Sequence, residues 1–152
     1  NILAHSDLNS LSAMQYAIDV LQVKHIIICG HYGCGGVTAV FQNRRVGLVD
    51  NWLPHIHDIK HKYTPLLNSQ ISDSEAIDRL CELNVIEQVN NAAQSTVIQD
   101  AWARGQSVTV HGWIYNLHDG LLRSLGLEVS NAQDFASQYE NTLRIIANPN
   151  AP

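Results

Sequence analysis

The chain has 152 residues, which is enough for one hydrophobic core and too few to argue for two domains. Its net charge is −5 and its nine Lys and Arg residues are dispersed, which argues against a nucleic-acid partner, and no apolar run reaches the length of a membrane span. Three cysteines, an odd number, argue against a disulfide framework and favour reduced thiols in the cytoplasm, while eight histidines bring metal chemistry into consideration.

The first third of the chain predicts a helix, a buried strand and a glycine-rich loop. Apolar residues recur at three- and four-residue steps, as on one face of a helix, at Leu11, Met14, Ile18 and Leu21. The run Ile26, Ile27, Ile28 has no polar alternation, which is typical of a parallel strand buried on both faces. After the glycines of "CGHYGCGG", the stretch "VTAVFQN" predicts a short helix and "DNWLPHIHDIKHKY" an amphipathic one.

A long helical region is predicted in the second half. Ser72 and Glu75 have the spacing of a capping box, so the helix is expected to begin near Asp73. It is expected to continue to Arg104, because Gly105 is a typical residue just beyond a helix C-terminus.

Two strands and a final helix are predicted after Gly105. "SVTVHGWIY" predicts a strand with Val108, Val110 and Gly112 on one face. "HDG" is typical of a turn, and "LEVS" predicts a short third strand. The last helix is expected to be capped by Asn131 and to end before Pro149.

This order of elements predicts a single α/β domain over residues 1–152, with a parallel-sheet core flanked by helices. Two strong strands and one weak strand are too few for a sheet that is buried on both faces. The chain also begins with Asn1 rather than Met. We therefore expect that N-terminal strands and helices are missing from these residues, or that another chain donates strands.

The glycine-rich loop does not match the phosphate-binding motifs. A dinucleotide fingerprint that begins at Gly33 would need a third glycine where Thr38 stands, and no Gly-Lys-Ser/Thr sequence is present for a Walker loop.

The same loop carries a possible metal-binding pair, His31 and Cys34. The two residues follow the isoleucine strand, at the end where α/β folds gather ligands, and imidazole and thiolate are both good zinc donors. An H-x-x-C pair alone is a weak signal. The alternative is purely structural: a histidine at the end of a strand and a cysteine in the core.

Several stretches together resemble the β-class carbonic anhydrases of the bacterial kind. They are "HIIICGHYGCGG", "GLVDNWLPHIHDI", "CELNVIEQV", "QDAWARGQSVTVHGWIY" and "HDGLL", and the resemblance extends from about His5 to about Tyr139. It implies a β-carbonic-anhydrase-like fold and an enzyme, a lyase, that uses Zn2+ to convert carbon dioxide reversibly to bicarbonate and a proton. It also implies a homodimer or homotetramer.

The resemblance further implies roles for five residues. In this family one His and two Cys hold the zinc, and His31 and Cys34 match the second and third of these protein ligands. Tyr16 matches a tyrosine that lines the substrate pocket, and Gly35 offers a backbone N–H near the substrate. Tyr115 matches a tyrosine that, in a regulated subgroup, helps to bind an inhibitory bicarbonate away from the zinc.

One family motif is absent. The family has a C-x-D-S-R sequence upstream, which supplies the other zinc Cys and an Asp–Arg catalytic pair. Here Cys29 is followed by Gly30 and His31, and Cys81 by Glu82 and Leu83. No catalytic residue is therefore identified in this chain, and zinc occupancy depends on residues expected upstream.

Other candidate ligands are assigned structural roles. Cys29 is predicted to be a buried core cysteine, and His57 with His61 to lie on a solvated helix face. Hydrogen-bonded positions at a strand end or turn are predicted for His111, His118 and Asp119. Core positions are predicted for Trp52, Trp102 and Trp113.

Three functional hypotheses remain open. The first is a zinc carbonate dehydratase whose remaining site residues lie upstream. The second is a non-catalytic, zinc-poor chain of the same scaffold that acts through self-association. The third is a related zinc hydrolase that acts on a small molecule such as carbon disulfide. For residues 1–152 alone we predict little or no activity, because two protein ligands hold zinc less firmly than three or four.

Overall fold

A computed structural model describes residues 2–67 and 71–147 of the chain. Helices α1 to α6 are, in chain order, Leu8–Gln15, Gly35–Phe41, Pro54–Lys62, Asp73–Gln94, Thr96–Ala103 and Ala132–Ala147. Strands β1 to β3 are His25–His31, Thr109–Asn116 and Leu121–Val129. A π-helical turn, Tyr16–Val20, continues α1, and 3-10 turns at Leu48–Asn51 and Thr64–Leu67 flank α3.

The three strands form one sheet in the order β1-β2-β3. β1 and β2 are parallel and in register, with His25 opposite Thr109 and His31 opposite Tyr115. β2 and β3 form an antiparallel hairpin whose turn contains Gly120 at φ +71°, as the "HDG" pattern predicted. The α/β fold is confirmed, but the sheet is mixed, and the third strand is longer than "LEVS".

Helix α4 lies close against one face of the sheet. A Cβ added at Gly30 would stand 2.4 Å from Val85 Cγ2, and one added at Gly112 would stand 3.2 Å from Val89 Cγ2. The two glycines therefore allow the helix to approach the strands closely. Val110 is fully buried on this face, so its predicted side of β2 is confirmed.

The opposite face of β1 is largely uncovered, contrary to the prediction of a strand buried on both faces. His25, Ile27 and Cys29 alternate as exposed residues along the strand, and Ile27 is 47% exposed. The prediction that Cys29 is buried is therefore also wrong. The physical reason is that β1 is an edge strand with a helix against only one face. Among the residues that the structure describes, its sole partner strand is β2.

The long helix predicted over 73–104 is two helices that meet at Ser95. Its predicted start is confirmed, because the Ser72 N–H donates to Glu75 Oε2 (3.0 Å) and the Glu75 N–H donates back to Ser72 Oγ (3.3 Å). Ser95 has extended backbone angles, and its hydroxyl accepts from the Ile98 N–H (3.4 Å), so it ends α4 and caps α5. Gly105 follows the second helix at φ +76°, as predicted.

Two further predictions have mixed outcomes. Asn131 Oδ1 accepts from the Asp134 N–H (2.9 Å), which confirms the predicted cap of α6; the predicted end before Pro149 lies outside the described residues. Trp52 is 37% exposed and is not a core residue, because it directly follows a 3-10 turn that contains no buried residue. Trp102 and Trp113 are only partly buried.

No helix in the described ranges combines the length and hydropathy needed to cross a membrane.

Candidate metal centre

His31 is the last residue of β1, and its ring is fixed by the backbone of the next residue. Nδ1 lies 3.0 Å from the carbonyl oxygen of Tyr32. A carbonyl oxygen only accepts hydrogen bonds, so Nδ1 carries the hydrogen and donates it. In the neutral imidazole, Nε2 then keeps the lone pair that a metal ion would use.

Cys34 lies three residues further on, immediately before α2. The backbone turns at Gly33, where φ is +68°, and the extended Cys34 begins the helix by accepting the Thr38 N–H (2.9 Å) at its carbonyl. Its side chain is buried beside Gly36, whose missing Cβ would stand 4.0 Å from Cys34 Sγ. The turn therefore places a buried sulfur three residues after the histidine.

Cys81 of α4 packs behind this turn. Burial raises the pKa of its thiol to about 12, against the smaller opposing effect of a hydrogen bond from the Cys34 backbone. At neutral pH Cys81 is therefore a neutral thiol that supports Cys34 from within the core.

The donor pair fits zinc in kind but not in number. An imidazole nitrogen and a cysteine sulfur are typical zinc ligands, and a zinc site in a protein has three or four protein ligands. Within residues 2–67 and 71–147, no three side chains of His, Cys, Asp or Glu are grouped so that they could hold a metal ion. His31 and Cys34 could thus supply part of a site whose remaining ligand lies elsewhere.

The other predicted histidine positions agree with structural roles. His57 and His61 are exposed on α3, as predicted. His111 is buried, with its Nε2 3.0 Å from Nδ1 of His25 and its Nδ1 3.5 Å from Glu128 Oε1. This arrangement is a hydrogen-bonded strand histidine, also as predicted.

The turn after β2 holds the last two candidates. The His118 N–H donates to Asn116 Oδ1 (2.9 Å), and Asp119 Oδ2 forms an ion pair with Arg123 Nη2 (2.6 Å). These hydrogen bonds close the hairpin turn, as expected from the "HDG" pattern.

The remaining predicted site residues lie in three different elements. Gly35 opens α2 next to Cys34, and a Cβ there would meet nothing within 4 Å. Tyr115 is opposite His31 in the sheet, and its carbonyl accepts from the Tyr32 N–H (3.0 Å). Tyr16 is exposed at the first residue of the π-helical turn. Their roles toward substrate and bicarbonate stay predictions.

Sequence reasoning missed a contact that joins the loop to α4. The hydroxyl of Tyr32 donates to Glu82 Oε1, and burial raises the pKa of both side chains. No local pattern signals this contact, because Glu82 needs a hydrogen-bond donor only once the fold has partly buried its carboxylate.

Comparison with known proteins identifies the family. The carbonic anhydrase family profile matches residues 1–122. The fold also superposes on a Coccomyxa β-carbonic anhydrase solved in complex with acetazolamide, with a TM-score of 0.83 and 30% sequence identity. That superposition covers 99% of this chain and 69% of the other. The chain belongs to the β-class carbonic anhydrases.

Two fungal proteins support the assignment. A carbonic anhydrase of Emericella nidulans is 39% identical over 128 residues, which are 84% of this chain and 56% of that protein. The crystal structure of a β-carbonic anhydrase of Aspergillus fumigatus has a TM-score of 0.77 and 32% identity, and covers 95% of this chain and 66% of the other. The chain spans about half the length of the curated relatives it matches.

Proposed function

We propose that the protein containing these residues catalyses the reversible hydration of carbon dioxide to bicarbonate and a proton, with zinc held partly by His31 and Cys34. The observation that carries the proposal is the state of the His31 ring. Its Nδ1–H is occupied by the Tyr32 carbonyl, so Nε2 is available for a metal beside the buried Cys34. Membership of the β-class carbonic anhydrases supports the reaction.

The chain's own residues would have separate tasks. His31 and Cys34 hold the zinc, which when bound is a Lewis acid that makes water acidic enough to react at neutral pH. Gly35 lies in the first turn of α2, where backbone N–H groups have no partner within the helix and can donate to a substrate oxygen. Tyr16 lines the substrate pocket, and Tyr115 belongs to a regulatory bicarbonate site.

The rest of the site is assigned to residues outside this sequence. A second Cys ligand and an Asp–Arg pair are needed, so residues 1–152 alone are expected to show little or no activity. A homodimer or homotetramer is proposed, supported by the description of two Sordaria macrospora relatives as tetrameric. A cytoplasmic location is proposed from the odd number of cysteines, which argues against a disulfide framework.

A second candidate is a zinc-poor, non-catalytic protein of the same fold. It is favoured by one observation: the described part of the chain offers only two suitable zinc ligands at this site. In that case His31 and Cys34 would be structural residues at the end of β1.

The two candidates are distinguished by measuring zinc content and carbon dioxide hydration together on the purified protein. If the enzyme proposal holds, His31→Asn and Cys34→Ser should each lower the zinc content, and should lower the hydration rate by more than the roughly 10- to 100-fold that loss of a partner of a ligand costs. His57→Asn, which changes an exposed histidine of α3, is the matched control and should change neither. A folded protein with no zinc and no hydration supports the scaffold candidate, and turnover of carbon disulfide instead would indicate the related hydrolase.

A further inference from the structure

We propose that Tyr32 and Glu82 form a positioning clamp that sets the tautomer and orientation of His31. The role of the clamp in zinc binding rests on the proposed function. Neither residue would touch the reacting atoms. Both would act through the imidazole ring.

The His31 ring has a defined hydrogen-bond partner. The His31 Nδ1–H has the Tyr32 carbonyl oxygen as its acceptor, at 3.0 Å. The tautomer of a histidine is set by the hydrogen bond that its non-ligating nitrogen makes. The position of one carbonyl group therefore decides whether Nε2 keeps a free lone pair.

The backbone of Tyr32 is held by the neighbouring strand. The Tyr32 N–H donates to the Tyr115 carbonyl (3.0 Å), just at the end of the β1–β2 ladder. Immediately afterwards the chain turns at Gly33, whose φ of +68° is a conformation that glycine adopts without steric cost. Tyr32 is thus held by the sheet on one side and followed by the Gly33 turn on the other.

The side chain of Tyr32 is held at its hydroxyl group. Its hydroxyl donates to Glu82 Oε1, a charge-assisted hydrogen bond to a carboxylate on α4. The backbone of Glu82 is held in α4 by its neighbours Cys81 and Leu83, which are almost fully buried in the core. Tyr32 is therefore anchored both at its backbone N–H and at its hydroxyl, and the two bonds together hold the Cα from which its carbonyl projects toward His31.

The consequence is a continuous connection from α4 to the metal-binding nitrogen. It runs from Glu82 through the Tyr32 hydroxyl and carbonyl to Nδ1 of His31, and so leaves Nε2 free. Groups that orient a ligating histidine typically affect metal affinity by about 10- to 100-fold when they are removed.

The test uses three variants at the clamp and one matched control. Tyr32→Phe removes the hydroxyl, and Glu82→Leu removes its acceptor. Glu82→Gln keeps an oxygen that can accept the bond, so it is the conservative rescue. Tyr63→Phe is the control, because the Tyr63 hydroxyl makes the same kind of bond to a buried carboxylate, Glu87, at a different place on α4.

The first measurement is the tautomer of His31 in the metal-free chain, from its ring 15N and 13C chemical shifts, assigned by their loss in His31→Asn. The second is a Co2+ titration followed by the sulfur-to-cobalt charge-transfer absorption of Cys34. Tyr32→Phe and Glu82→Leu should lower the population with hydrogen on Nδ1 and weaken Co2+ binding by about tenfold. Glu82→Gln and Tyr63→Phe should resemble the unchanged protein in both.

The proposal is overturned if Tyr32→Phe leaves the tautomer unchanged, or if Tyr63→Phe shifts it as much. Should Glu82→Leu fail to fold, Tyr32→Phe and Glu82→Gln still decide the matter. The tautomer measurement needs no metal, so it stays valid even if the unchanged chain binds no Co2+ through Cys34. Absence of Co2+ binding through Cys34 would count against the proposed zinc site. The clamp would then be tested by the tautomer of the His31 ring alone.

Discussion

Glu87 is a nearly buried carboxylate on α4 that accepts hydrogen bonds from three side chains. Lys62 Nζ donates at 2.9 Å, and the hydroxyls of Tyr63 and Tyr139 also donate to Oε1. Since these donors come from the end of α3 and from α6, one carboxylate joins three helices. Burial acts to raise the pKa of Glu87, but the bonds from Lys62 and the two tyrosines favour the charged form and lower it overall.

This arrangement predicts a pH-dependent contribution to stability. Because the folded-state pKa of Glu87 lies below the ordinary value of 4.5, the stabilisation is present above that pH and is lost as the pH falls through the lowered value. Glu87→Gln should lower the free energy of unfolding by about 1–3 kcal/mol at pH 7, and by progressively less below pH 4.5. Urea denaturation at several pH values measures the difference.

Glu140→Gln is the control for that measurement. Glu140 is exposed on α6, and its carboxylate lies 4.0 Å from Arg144, so its removal should change the free energy of unfolding by less than about 0.5 kcal/mol. A gap between the unchanged protein and Glu87→Gln that grows on acidification would contradict the assigned role of the carboxylate.

At the level of elements, the contact between β1 and α4 depends on a residue without a side chain. Val85 Cγ2 occupies the space where a Gly30 Cβ would stand, and valine has little rotamer freedom in a helix, so it cannot easily move aside. Gly30→Ala should therefore lower the free energy of unfolding by about 1–3 kcal/mol through overpacking.

Gly35→Ala is the matched control for Gly30→Ala, since a Cβ at Gly35 meets nothing within 4 Å. Thermal unfolding of both variants gives the comparison. Equal losses of stability in the two would mean that glycine is needed at Gly30 for a reason other than the close approach of α4.

Elements with a strong local signal were predictable from the sequence. The run Ile26–Ile28 predicts β1, and the Ser72–Glu75 spacing predicts the start of α4, because both depend on near neighbours in the chain. The break at Ser95 was missed because Ala92, Ala93 and Gln94 before it are good helix formers, and a serine cap inside a helical run is a weak signal. The exposed face of β1 was missed because burial depends on what packs against a strand, which its own residues do not specify.

The candidate metal site was predictable only in part, for a related reason. His31 and Cys34 are close in sequence and stand in a characteristic spacing, so they could be identified together. Glu82 is 50 positions from Tyr32, and only the packing of α4 against the sheet brings the two side chains together. Contacts of this kind arise from the fold and are not visible in a local pattern.

At the scale of the whole molecule, the outer edge of β1 determines how residues 1–152 are expected to behave when produced alone. In the described ranges this strand pairs only with β2, so its other edge presents backbone N–H and C=O groups without a strand partner. Ile27 and Cys29 are exposed on the uncovered face of the same strand. An exposed apolar edge strand is a template for pairing with another chain.

We therefore expect residues 1–152, prepared alone, to form dimers or larger assemblies at micromolar concentration. The variant Ile27→Lys should stay monomeric, because a lysine on an edge strand opposes pairing. Leu48→Lys is the matched control. It makes the same change of charge at a residue that is 89% exposed in the 3-10 turn before α3, so it should associate like the unchanged chain. Sedimentation velocity over a concentration series measures the difference. If Ile27→Lys and Leu48→Lys reduce association equally, general repulsion between charged chains is the cause, and if the unchanged chain is monomeric throughout, the edge of β1 does not pair.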